Sequence, residues 1–295
     1  MFAALLIGAL CLGAQEPFTT GPIETVSEGY QFTEGPLWLP DDARLIFSDI
    51  PADTIYYEDG EVFRQPSGQS NGLTLDRDAR LVAAEHQNRR VSRTEFGGNV
   101  VVVAESFEGK RLNSPNDVVV RSDGMIFFTD PPYGLEGGLG GPNADLDFSG
   151  VYAVVGRNEL RLIAQDFDRP NGLAMSPDER IMYIADTAEN HIRVFDLADD
   201  GRLNNGRVFC ELPQPDGIKV DVEGNVWSTA RDGVRIFDES GELLETIEFP
   251  QQPANLAFGG EDGKTLFVTA RSAVYQVPVR VEGIHPRYRR PVPRP

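Results

Sequence analysis

The stretch NGLAMSPDERIMYIAD, Asn171 to Asp186, holds a complete two-stranded unit. A polar residue and a glycine precede the short apolar run Leu173-Ala174-Met175. Ser-Pro-Asp-Glu supplies a turn, and Ile181-Met182-Tyr183-Ile184 reads as a buried return strand. Five other segments open in the same way. They are Glu34-Gly-Pro-Leu-Trp, Asn71-Gly-Leu-Thr-Leu, Asn116-Asp-Val-Val-Val, Asp216-Gly-Ile-Lys-Val and Asn255-Leu-Ala-Phe, and the six starts lie 37, 45, 55, 45 and 39 residues apart. That is the period of a four-stranded propeller blade. Helical periodicity is absent, so the expected fold is all-β, a six-bladed β-propeller of four-stranded antiparallel blades.

Each second strand ends 14 or 15 residues after its start, at Asp49, Glu85, Asp130, Asp186, Ala230 and Ala270. The spacing fits an outward strand, a tight turn and a return. The six polar starts and the six strand ends therefore share one face, and the starts converge on one mouth of the central channel. His86, Arg89, Tyr133, Arg231 and Asp232 are the expected rim. Ile23 to Ser27 is strand-like and precedes the first start; it is expected to supply the outer strand of the last blade and close the ring, protecting its edges. The segment from Gly134 to Gly150 accounts for the longest interval, and reads either as a lid or as a plain long loop.

The ends read differently. Met1 to Ala14 is apolar and ends in small residues, which predicts a short signal peptide and a periplasmic or secreted protein; without a working signal the location would be cytoplasmic. Residues 15–284 then form the propeller, and 285–295 a basic, Pro-rich tail. The formal charge of −19 argues against nucleic-acid binding, since phosphate contacts need clustered Lys and Arg. No later apolar run is long enough to predict a membrane span. Two cysteines, one of them in the apolar leader, predict no intrachain disulfide, and three histidines do not suit a His- or Cys-based zinc site. The oligomeric state is not readable.

Asn-Gly and Asp-Gly are common turn formers, which accounts for several starts one at a time. It does not account for Glu34, or for the recurrence of carboxylates and amides at the channel position. Such groups, buried together, need a partner, and a hard cation satisfies them jointly. With these motifs the sequence resembles the senescence marker protein 30/gluconolactonase family, in its bacterial gluconolactonase branch. The resemblance spans roughly residues 30 to 280. It is carried by the Glu34 motif, EHQNRRVSR from Glu85, RLNSPNDVVVRSDGMIFFTDPPYG from Arg111, RPNGLAMSPDE from Arg169 and PDGIKVDVEGNVW from Pro215.

The resemblance implies one divalent cation at the mouth, ligated by Glu34, Asn171 and Asp216, with Asn116 as a direct or water-mediated contact. Ca²⁺ is the expected ion, and Zn²⁺, Mn²⁺ or Mg²⁺ are alternatives. It further implies hydrolysis of a small-molecule sugar lactone to the aldonic acid, with Asp216 as candidate general base. Asn116, His86, Arg89 and Tyr133 are the candidate substrate contacts. Two competing readings are a phosphotriesterase-like hydrolase using the same cation and a non-catalytic propeller that binds a partner. Gly68-Gln-Ser70-Asn-Gly72 matches the G-x-S-x-G pattern of serine hydrolases, but a strand follows where that motif needs a helix, so Ser70 is not expected to be a nucleophile.

Overall fold

The computed structural model describes residues 16–156 and 159–285. The expected signal peptide and all of the expected tail except His285 lie outside the described residues. Within them the chain forms six four-stranded antiparallel sheets. The first three blades start with inner strands Thr33–Leu39, Ser70–Leu75 and Val118–Val120. The last three start with Pro170–Met175, Ile218–Val220 and Asn255–Gly259. Each inner strand packs against the inner strands of the blades before and after it, and the sixth meets the first, so the ring closes. Among the described residues helix is limited to one 3₁₀ turn at Gly138–Gly140, and no helix is long and apolar enough to cross a membrane.

Closure follows the expected route, shifted by one residue. Glu24–Glu28 pairs antiparallel with Ala273–Pro278 as the outer strand of the sixth blade. The seam between the sixth and first blades is filled by Leu45, Phe47, Phe267 and Val274, with Val26 and Tyr30 packed against them. The next seams are equally apolar. Phe127, Val151, Leu173, Met182 and Ile184, for example, join the third blade to the fourth. Burying such side chains contributes on the order of 1.5–3 kcal/mol each. Opposite the expected mouth, the chain after Pro278 crosses the channel. Ile284 N–H donates to the Val220 carbonyl (3.1 Å), and His285 Nε2 lies 2.7 Å from the Trp38 carbonyl. His285 therefore belongs to the body of the propeller, although the sequence places it at the head of the tail. Cys210 is buried and free.

The Asn-Gly and Asp-Gly pairs do not act as turns. Gly72 and Gly172 lie inside inner strands, and neither has a positive φ. Their role is close approach. Gly72 N–H donates to the Asn116 carbonyl of the next blade (2.8 Å), and Gly172 N–H to the Asp216 carbonyl (3.0 Å). A Cβ on Gly72 would lie 2.8 Å from the Asn116 carbonyl oxygen, and one on Gly172 would collide with that of Asp216. The inner strands thus meet backbone to backbone at the mouth, and any side chain there would push them apart.

Gly172→Ala is expected to lower Tm by at least about 5 °C, on the order of 2 kcal/mol of overpacking and a lost seam bond. Gly140→Ala, where an added Cβ meets no atom within 4 Å, is the control and should stay within about 1 °C. Thermal denaturation of both variants checks the assignment, and equal Tm values would contradict it.

Candidate functional site

The inner strands deliver their first residues to one mouth, where a cavity of about 460 Å³ opens. Five of the six polar starts line it: Glu34, Asn71, Asn116, Asn171 and Asp216. Asn255 does not. Its Oδ1 accepts the Leu256 N–H (2.9 Å), and its amide lies beside the buried Glu34 and Asp117 carboxylates, one layer below. The expectation of six converging starts is corrected to five above and one beneath.

Among the expected cation ligands, Asn171 has the most telling environment. The Thr187 hydroxyl donates to the Pro215 carbonyl (2.7 Å), so its oxygen can only accept from Asn171 Nδ2 (3.0 Å). This fixes the amide orientation and leaves Asn171 Oδ1 buried with no hydrogen-bond partner. Glu34 faces it from the opposite side of the ring, almost fully buried, with Oε2 accepting its neighbour's N–H, that of Gly35, at 2.9 Å. Burial raises the Glu34 carboxyl to about 7, helped by the Asp117 charge. Burial, then Glu34 and Asp117, push the Asp216 carboxyl well above the usual carboxylate range.

Two carboxylates that repel each other beside an orphaned amide oxygen form an oxygen-donor set with surplus negative charge. It fits a hard divalent cation. No group of three His, Cys, Asp or Glu side chains placed to hold a metal ion occurs among the described residues, so amide oxygens would have to complete the donor set.

His86 and Tyr133 line the cavity as expected. Burial lowers the His86 imidazole to about 4, so it is neutral at pH 7. Its Nε2 lies 3.3 Å from Asn71 Nδ2; with the amide donating, the ring proton sits on Nδ1. Burial raises the Tyr133 phenol to about 12, so it keeps its proton. Asn116 is buried, its backbone held by the Thr129 carbonyl at 2.9 Å.

Arg89 is not brought to the cavity. Its Nε donates to the Leu112 and Asn113 carbonyls (2.6 and 3.1 Å), its Nη1 to the Asn143 carbonyl (2.7 Å), and its Nη2 pairs with Asp145 (3.0 Å). Arg89 thus pins the Gly134–Gly150 segment, which is a docked loop with Leu135 and Leu146 buried. Asp130 likewise braces this region by accepting the Asn113 N–H (2.8 Å). Arg231 and Asp232 also stay off the cavity wall, and Asp232 pairs with Arg235. Ser70 is fully buried; its Oγ lies 2.9 Å from Ser48 Oγ, with no histidine among its partners.

Several lining residues escaped the sequence reading. Thr187 and Arg271 directly follow the fourth and sixth second strands, so the same count that led to His86 would reach them. Phe32, Gln214 and Gln252 come from connecting loops and carry no repeat signal.

The model of the SMP-30/gluconolactonase/LRE-like region matches residues 32–272. A gluconolactonase of Zymomonas mobilis is 32% identical, over 89% of this chain and 82% of its own length. A pentonolactonase of Haloferax volcanii is 28% identical, over 80% of each chain. The solved structure of a gluconolactonase from Xanthomonas campestris superposes with a TM-score of 0.80 at 34% identity, covering 87% of this chain and 89% of that one. With the family model spanning most of the ring and relatives of this similarity, the chain belongs to the SMP-30/gluconolactonase/LRE-like family.

Proposed function

We propose that this protein is a divalent-metal-dependent hydrolase that opens a sugar lactone to its aldonic acid. The observation that carries the reading is the fixed, unpartnered Asn171 Oδ1 in a cavity that the Glu34 and Asp216 carboxylates also line. The lactonases among the relatives support the choice of substrate class. Glu34, Asn171 and Asp216, with Asn116 alongside, would hold the cation, which when bound polarises the lactone carbonyl and offsets the developing oxyanion charge. Ca²⁺ is the ion favoured by all-oxygen donors; Mn²⁺, Mg²⁺ and Zn²⁺ are alternatives.

The chain's own residues perform the rest. Asp216 accepts a proton from the attacking water as the new C–O bond forms. It returns that proton to the ring oxygen as the ester C–O bond breaks, giving a hydroxyl and a carboxylic acid that ionises at neutral pH. Tyr133 keeps its phenolic proton and can donate to a sugar hydroxyl. Neutral His86 can exchange hydrogen bonds with another hydroxyl without adding charge. The cavity volume matches one monosaccharide ring with its water.

Purified protein loaded with Ca²⁺ or Mn²⁺ should hydrolyse glucono-1,5-lactone, and chelation should stop it. Turnover of phosphotriesters but not lactones would favour the phosphotriesterase reading, and no turnover of either would favour a binding propeller. Asp216→Asn should remove a buried repulsion and raise Tm of the metal-free protein by about 2–6 °C. The same change should weaken Mn²⁺ binding more than about 100-fold and cut activity by roughly 10³. An unchanged Mn²⁺ affinity would remove Asp216 from the ligand set. Ser70→Ala should keep kcat/KM within about threefold of the parent; a large loss with the metal still bound would make Ser70 a reacting group.

A further inference from the structure

Among the described residues the cavity is lined by one cationic side chain, Arg271, whose place the repeat explains but whose charge it does not. Arg271 follows the last residue of Thr265–Ala270 and adopts φ +50°, a left-handed conformation that costs a non-glycine residue about 1 kcal/mol or more. The conformation is held from both sides. The Arg271 carbonyl accepts from Thr33 N–H (2.7 Å) and Thr33 Oγ1 (3.2 Å), and Ser272 N–H donates to Gln251 Oε1 (3.0 Å). The guanidinium is then aimed by Gln252, whose Oε1 accepts from Nη2 at 2.6 Å, and by the Phe32 ring, 5.6 Å from Cζ.

Most of the described arginines, including Arg44, Arg64, Arg80 and Arg89, are paired with carboxylates. Among the described residues Arg271 has no ion pair and no acceptor for its remaining N–H groups, although its charge bears on Asp216.

Charge balance at the mouth gives this group a task. Glu34 and Asp216 carry two negative charges, which a divalent cation offsets; Asp117, one layer below, is answered by the Lys219 charge. Arg271 then leaves the loaded mouth with one net positive charge, while His86 is neutral. An incoming sugar lactone is also neutral and has no need of that charge. The tetrahedral oxyanion and the carboxylate that follows each carry one negative charge.

We propose that Arg271 is the anion-binding residue of this mouth, and that it receives the carboxylate created by ring opening. The identity of the anion rests on the lactonase reading; the placement of Arg271 does not. A guanidinium fork suits a carboxylate, accepting two oxygens side by side. It discriminates product from substrate, so it makes the enzyme sensitive to its own aldonate.

Calorimetric binding to the Mn²⁺-loaded protein tests this without any turnover. Two probes are compared, gluconate and the neutral, unhydrolysed analogue glucono-1,5-lactam. Arg271→Gln should raise the gluconate Kd about tenfold at low ionic strength and leave the lactam Kd within about twofold. Arg271→Lys, which keeps the charge and loses the fork, should fall between. High salt should narrow the gluconate gap between parent and Gln variant. Parallel loss of gluconate and lactam, an unchanged gluconate Kd in the Gln variant, or no gluconate binding by the parent protein would each overturn the proposal. Failure of the lactonase reading would show separately, as absent lactone turnover with gluconate discrimination intact.

Discussion

The backbone contact between neighbouring inner strands is the constraint on which this molecule depends. Gly72 and Gly172 give up side chains so that their N–H groups reach the carbonyls of Asn116 and Asp216 in the next blade. The hydrogen bond is made by the same residue that points its side chain into the channel. Blade spacing and the placement of the mouth's oxygen atoms are therefore set by one interaction. A residue that widened the seam would move an oxygen donor away from its neighbours, and a cation site tolerates displacements of only a few tenths of an ångström.

That geometry has an electrostatic cost. Concentrating Glu34, Asp117 and Asp216 around one channel raises all three carboxyls through burial; the Asp117 charge adds to the rise at Glu34, and the Glu34 and Asp117 charges add to that at Asp216. The fold relieves part of it with an amide and a lysine. Asn255 lies beside Glu34 and Asp117, and the Lys219 charge reaches both from the far side of the channel. The remainder is left at Asp216 and at the unpartnered oxygen of Asn171. Strain of this kind persists only where the surrounding structure over-determines it, which is the usual condition of a functional site.

The ring was legible because its signal repeats. Six polar starts at blade spacing, each with a return strand ending 14 or 15 residues on, fix the face to which Glu34, Asn171 and Asp216 belong. What single residues do within that frame was less legible. Arg89 is three residues from His86, and sequence proximity put both at the rim. The turn between them sends the imidazole into the cavity and the guanidinium outward to the Leu112 and Asn143 carbonyls. The glycines of the Asn-Gly pairs looked like turn formers, since a close approach between blades leaves no mark in one blade's own sequence. Arg271 was reachable by the same count that found His86. Nothing in the pattern, however, distinguishes an arginine paired with a carboxylate from one aimed into a cavity by Gln252.

Closure of the ring links these elements in a way no single blade displays. Thr33 precedes Glu34, and its N–H and hydroxyl bind the carbonyl of Arg271; the hydroxyl also lies 3.0 Å from the Ala273 carbonyl. Residues 238 and 240 positions apart in sequence are thereby fixed across the seam where the chain's two ends meet. One side of that seam contributes the Glu34 carboxylate to the mouth and the other contributes the Arg271 guanidinium. An open ring would still hold Asn116, Asn171 and Asp216 in order. It would no longer hold in register the Glu34 charge of the proposed cation site and the Arg271 charge proposed to answer the product. The strand Glu24–Glu28 clamps Ala273–Pro278 from outside, so it acts on the site through the seam without touching it. In this fold, closing the ring and completing the chemistry are the same event.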